Sequence, residues 1–158
     1  MKLTSSAFES GEKIPSKYTC DGENINPQLF ISGVPERAKS LVLIMDDPDI
    51  PNEVKKAREI EVFDHWVVFN ISPETEAVEE GKVPNGAIQG ANSRGEKQYT
   101  GPCPPPQYEP KEHRYFFKLY ALNIELDLPE GSPKEEVEKA MEGHVLEKTQ
   151  LIGKYSRI

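Results

Sequence analysis

Six residues in separated stretches have the types and spacing to do chemistry: Asp46, Asp47, Asp49, His65, Cys103 and His113. The run "MDDPDIP" places three carboxylates directly after an apolar segment. Carboxylates at the carboxyl end of a strand leave the core together and can line a cleft, with Pro48 and Pro51 restricting the loop that aims them. The plain alternative is an acidic turn, since Asp and Pro are turn formers. A sharper rival is phosphotransfer, in which an Asp-x-Asp pair such as Asp47 and Asp49 supplies a nucleophile and shares Mg²⁺. That chemistry goes with an alternating α/β scaffold and a later lysine and acidic pair, which find no match here. A calcium loop fails too, because no Gly stands at loop position six and no Glu at position twelve. No metal or cofactor is expected.

His65 and His113 each open a long β-type run. Counting by twos, His65 shares a face with Val67 and Phe69, and His113 shares one with Tyr115, Phe117 and Leu119. The bland reading for either alone is a strand-end imidazole hydrogen-bonded to backbone. Together with Asp47 and Asp49 they would form a polar floor in an apolar cleft. An imidazole donates to a phosphate oxygen, and a carboxylate accepts a ring N–H or receives an ammonium group. Such a site suits a small zwitterion or a phosphorylated group. His144, at a helix end, is expected to cap that helix or interact with its dipole. A Cys103–His113–Asp47 thiol triad has no supporting spacing; loop packing is the expected role of Cys103.

Three apolar runs must hold these groups: Ser40 to Asp46, Val62–Ile71 and His113–Ile124. Each is rich in β-branched or aromatic residues and fenced by Pro or Gly. Shorter strand candidates are "KLTSSAF", "PQLFI", "GAIQG" and "TQLIGKYSR". One helix is expected, with Ser132 as N-cap, Pro133 in first position, Glu135 completing a capping box, and Val137, Ala140 and Met141 on its inner face. A short helical turn capped by Asn52 is the alternative for "NEVKKARE", but the stretch carries little apolar surface and reads as a solvated loop. Many strands and one late helix predict a mainly β protein, a two-sheet antiparallel or mixed β-sandwich, as a single domain over residues 1–158. The prolines of "GPCPPP" lie between β-segments inside that domain, so they read as a stiff wall and not as a linker.

Composition narrows the partners. The 158 residues suit one core. A net charge of -8 opposes binding to nucleic acid or anionic lipid. The N-terminal stretch has no apolar signal region, and no apolar run approaches the roughly 20 residues of a membrane span. The expectation is a soluble cytoplasmic protein with no integral membrane association. Cys20 and Cys103 fit neither a zinc site nor a Cys-x-x-Cys pair; two independent thiols are expected, a single bridge being the alternative.

The motifs "DPDIP", "DHWVVFNI", "GANSRGEKQYTGPCPPP" and "HRYFFKLYAL", in this order, resemble the phosphatidylethanolamine-binding protein family, also called the Raf kinase inhibitor protein family, and its short prokaryotic branch in particular. The similarity also takes in "YTCDGENINPQLFISGVP" and "GHVLEKTQLIGKYSR", and so runs over nearly the whole chain. The resemblance implies a β-sandwich with a small anion cavity lined by Asp47, Asp49, His65, Gly101, Cys103, Pro105, His113 and Tyr115. It implies a non-enzymatic protein that binds a small anion or phosphorylated head group. Inhibition of a serine protease or kinase through a surface loop is the alternative, with a hydrolase or phosphotransferase using Asp47 or Cys103 behind it. A homodimer follows by analogy with the short branch. Two departures stand out. Cys103 is aligned where animal members carry glycine, and "NEVKKAREIE" is longer than the short branch leads one to expect, placing Lys55, Lys56 and Arg58 near the cavity mouth. The chain also ends soon after Tyr155, without the long terminal helix of animal members, which counts against kinase regulation.

Overall fold

The computed structural model describes residues 1–157. Eight strands form two antiparallel sheets. The larger has the order β6-β4-β3-β7-β8, made of β6 (Ile88–Gln89), β4 (Phe63–Ile71), β3 (Ser40–Asp47), β7 (Glu112–Leu122) and β8 (Val145–Ser156). The smaller has the order β1-β2-β5, from β1 (Lys2–Ser5), β2 (Leu29–Ser32) and β5 (Ala77–Val78). The expected sandwich is present, and the three long apolar runs occupy the centre of the large sheet. β5 and the first residues of β8 were not among the expected strands: two residues carry too little pattern, and Val145–Lys148 alternate weakly.

The main core lies between the sheets. Leu3, Leu29, Ile31 and Val78 of the small sheet meet Leu43, Met45, Trp66, Val68 and Phe117 of the large one. A second core covers the opposite face of the large sheet, where Val42, Ile44, Val67 and Phe69 pack on Val137 and Met141 of α2 (Lys134–Met141). β3 is therefore buried on both faces along its whole length, which is why it reads as an unbroken apolar run and does not alternate. β7 has an apolar inner face and a half-exposed outer one, and it alternates as expected.

The capping box of α2 does not form. The Ser132 hydroxyl donates to the Pro129 carbonyl at 2.8 Å, and Pro133 takes the N-cap position without a side-chain bond. The buried Ser132 is used to hold the preceding turn, and its carbonyl accepts the Ala91 N–H. "NEVKKARE", expected as loop, contains α1 (Asn52–Arg58), with Pro51 and not Asn52 at its N-cap. Its Glu, Lys, Ala and Arg residues favour helix without an apolar stripe, and Glu59 closes it in the left-handed conformation at φ 56°. At the end of α2, His144 Nδ1 lies 3.0 Å from Asn123 Oδ1, so the imidazole is tied to the β7 loop.

Candidate functional site

β3, β4 and β7 end side by side, and their ends form the floor of a cavity of about 260 Å³. β7 supplies His113 and Tyr115, which are on its inner face as alternation requires. β3 supplies Asp47. Its neighbour Asp46 points to the opposite face of the sheet, where Lys118 binds it at 3.0 Å. β4 supplies His65, by a route that counting by twos misses. Met45 pairs with Trp66 and Asp46 with Asp64, so His65 is the extra residue of a β-bulge. The bulge breaks the alternation: Val67 and Phe69 face the second core, and His65 is turned to the side of Trp66 and Tyr115. The expected common face of His65, Val67 and Phe69 is thus incorrect, although His65 does reach the cavity.

The floor is held by a closed set of hydrogen bonds. His65 Nδ1 donates to the Thr100 carbonyl at 2.7 Å, and the Thr100 N–H returns a bond to the His65 carbonyl at 3.0 Å. This tautomer leaves Nε2 as a lone-pair acceptor. Burial holds the His65 ring below its ordinary value of 6.5, against the pull of the Asp47 charge. His113 Nδ1 lies 2.7 Å from Asp47 Oδ2, and Nε2 lies 2.9 Å from the Pro110 carbonyl. Both ring nitrogens of His113 therefore face acceptors, Asp47 on one side and the Pro110 carbonyl on the other. Asp47 Oδ1 accepts the Asp49 N–H at 2.7 Å, so both Asp47 oxygens are engaged. The Tyr115 hydroxyl is fully buried and has no partner among the described residues. Burial, with Asp47 second, raises its pKa, so it stays a neutral donor.

The proline stretch forms one wall. Thr100, Gly101, Cys103, Pro104 and Pro105 line the cavity. Three hydrogen bonds anchor this loop to the loop before β2: Tyr99 Oη to the Tyr18 carbonyl at 2.7 Å, the Gly101 N–H to Asn24 Oδ1 at 2.7 Å, and the Cys20 N–H to the Pro102 carbonyl at 3.1 Å. A Cys20–Cys103 disulfide joins the same two loops. The expectation of independent thiols is therefore incorrect: 83 residues separate the cysteines in sequence, and only the packing of the two loops brings them together. Cys103 is exposed in its loop as half of this bridge, and is not the packed free cysteine expected.

The facing wall is apolar, built from Ile50, Pro51, Val54 and Phe63, with Arg58 and Arg94 at the rim. Val54 and Arg58 stand one helical turn apart on α1, and so turn the same way. Among the described residues neither arginine forms a salt bridge. Lys55 instead pairs with Glu61, and Lys56 does not line the cavity.

The structure brings together Asp47, His65, Gly101, Cys103, Pro105, His113 and Tyr115 and leaves out Asp49. Arg114 holds the Asp49 carboxylate at the surface, Nε to Oδ2 at 2.8 Å and Nη2 to Oδ1 at 2.9 Å, and keeps its pKa low. The expected place of Asp49 in the cavity lining is incorrect. Its role is indirect, because its backbone N–H fixes Asp47. Asn24 and Arg94 were not foreseen; each sits in a polar loop where nothing in the local pattern distinguishes it from solvated neighbours. Among the described residues, no group of three or more His, Cys, Asp or Glu side chains could hold a metal ion. Among the described residues, no helix is long and apolar enough to cross a membrane.

The profile of the phosphatidylethanolamine-binding protein family fits residues 4–156, in keeping with the two-sheet antiparallel sandwich, and the chain belongs to that family. Several of its relatives are prokaryotic proteins of matching length. The chain is 51% identical to a UPF0098 protein of Methanothermobacter thermautotrophicus, over 99% of each chain. It is 45% identical to a UPF0098 protein of Chlamydia trachomatis, again over 99% of each. Among solved structures, a phosphatidylethanolamine-binding protein homologue from Chlamydia trachomatis superimposes with a TM-score of 0.90 at 44% identity, covering 99% of this chain and 97% of that one. Escherichia coli YbcL, described as a member of the mammalian family, gives 0.86 at 28% identity, covering 99% and 98%.

Proposed function

We propose that the protein is a non-enzymatic binder whose cavity takes a small oxyanion or phosphorylated group. The observation that carries this reading is the Tyr115 hydroxyl, buried without a partner on a floor where every other polar group except His65 Nε2 is engaged. A buried, unpartnered hydroxyl costs stability unless something binds it. A bound oxyanion would accept its hydrogen bond, and the rim arginines add positive charge in a chain of net charge -8.

The same inventory counts against turnover. Cys103 is in a disulfide, both Asp47 oxygens accept hydrogen bonds, and Asp49 is bound by Arg114 outside the cavity. None of the three groups the sequence offers for turnover is left as a free nucleophile. The test is to titrate inorganic phosphate while following the His65 and Tyr115 ring signals by NMR. Saturable shifts of both are expected at millimolar phosphate. Unmoved signals would end the proposal, as would steady hydrolysis of a generic phosphate ester that disappears in Asp47→Asn.

A further inference from the structure

We infer that the Cys20–Cys103 disulfide is a redox latch: a dithiol that reduces it frees the proline-rich segment 103–109 and loosens one wall of the cavity, while the sandwich stays folded. The first ground is how that segment is held. Upstream, Tyr99, Gly101 and Pro102 are hydrogen-bonded to the loop before β2 without help from the bridge. Downstream, the Pro110 carbonyl lies 2.9 Å from His113 Nε2, and β7 starts at Glu112, which pairs with Ser156 of β8. Between these anchors, among the described residues, the one hydrogen bond is internal, from the Tyr108 N–H to the Pro105 carbonyl at 3.3 Å, and no ion pair forms. Pro104, Pro105 and Pro106 have no N–H to give. The disulfide is therefore the one bond by which segment 103–109 holds a distant part of the chain.

The second ground is access. Cys20 and Cys103 are both exposed, and exchange needs an attacking sulfur to reach the bridge, so exposed disulfides are the labile and regulatory ones. A thiolate of the dithiol attacks one sulfur of the bridge, breaking the S–S bond and releasing the other sulfur as a thiolate. The dithiol's second sulfur then displaces the first. The bridge takes up two electrons and two protons to become two thiols, and the dithiol becomes a disulfide. Cys103, Pro104 and Pro105 line the cavity, so the reduced protein loses a fixed wall there. The floor keeps bonds of its own, His65 to Thr100 and His113 to Asp47. The device does not depend on which ligand the cavity holds.

Treatment of the whole protein with dithiothreitol, without denaturant, tests this. Alkylation and mass spectrometry should then find both cysteines as thiols, while the buried Trp66 keeps its native fluorescence. Chymotrypsin should cut after the half-buried Tyr108 at least roughly tenfold faster than in the oxidised protein, because cleavage follows the population of the open segment. Cys20→Ser/Cys103→Ser should be cut as fast without reductant, and reoxidation of the native chain with glutathione disulfide should restore resistance. A bridge that dithiothreitol opens only in urea would overturn the inference. So would loss of native Trp66 fluorescence on reduction, or an unchanged rate of cutting in the reduced protein or the double variant.

Discussion

Replacing Tyr115 by Phe removes one oxygen from the cavity floor and nothing else. In the ligand-free protein that hydroxyl has no partner, so the change removes a desolvated polar group and no hydrogen bond. Burying such a group costs about 1–3 kcal/mol. That oxygen is not reached by solvent, so the variant should gain stability, by up to about 1–3 kcal/mol. The bound state behaves oppositely. A hydrogen bond to a charged group contributes about 1.5–3 kcal/mol, so phosphate affinity should fall roughly 10- to 150-fold. Tyr155→Phe is the matched control, since its hydroxyl donates to Asp21 at 2.7 Å and does not line the cavity. It should lose about 1 kcal/mol and bind phosphate normally. Urea unfolding and phosphate calorimetry on the two variants make the comparison. If Tyr115→Phe is destabilised like Tyr155→Phe and binds phosphate normally, the hydroxyl serves the fold and the reasoning fails.

Opening the disulfide with Cys20→Ser/Cys103→Ser frees a loop of 83 residues, which the chain-entropy relation values at about 4.5 kcal/mol. At roughly 2–4 °C per kcal/mol for a chain of this size, calorimetry should show Tm falling by about 9–18 °C; a fall below about 2 °C would contradict it. The native value of His65 lies below 6.5, so between the two the unfolded chain holds more protons, and stability should drop as pH falls through that window. Urea midpoints from pH 7 downward should show a shallower loss in His65→Asn, whose amide can replace Nδ1; identical slopes would remove His65 as the cause. At Gly101 a Cβ would strike the Tyr18 carbonyl oxygen and come within 2.6 Å of Asn24 Oδ1. Gly101→Ala should therefore cost about 1–3 kcal/mol in urea unfolding, and an unchanged midpoint would show that these loops can separate.

The sandwich, the three central strands and most of the cavity floor were legible in the sequence. These depend on local chemistry: β-branched and aromatic runs, alternation along β7, and carboxylates at the end of β3. What escaped it depends on register and on contacts far apart in the chain. A single extra residue at the β-bulge decides which face His65 takes, and only pairing with β3 reveals it. Asp49 looks like Asp47 in sequence, but Arg114 on a neighbouring strand draws it to the surface. Cys20 and Cys103 carry no signal of pairing until two loops meet. α1 lacks an apolar stripe because it covers a cavity and not the core, so the absence of hydrophobic period concealed both the helix and its Val54–Arg58 face. Tertiary structure thus decided which of the candidate residues meet, and on which side, because side-chain direction in a sheet is set by strand pairing and not by residue type.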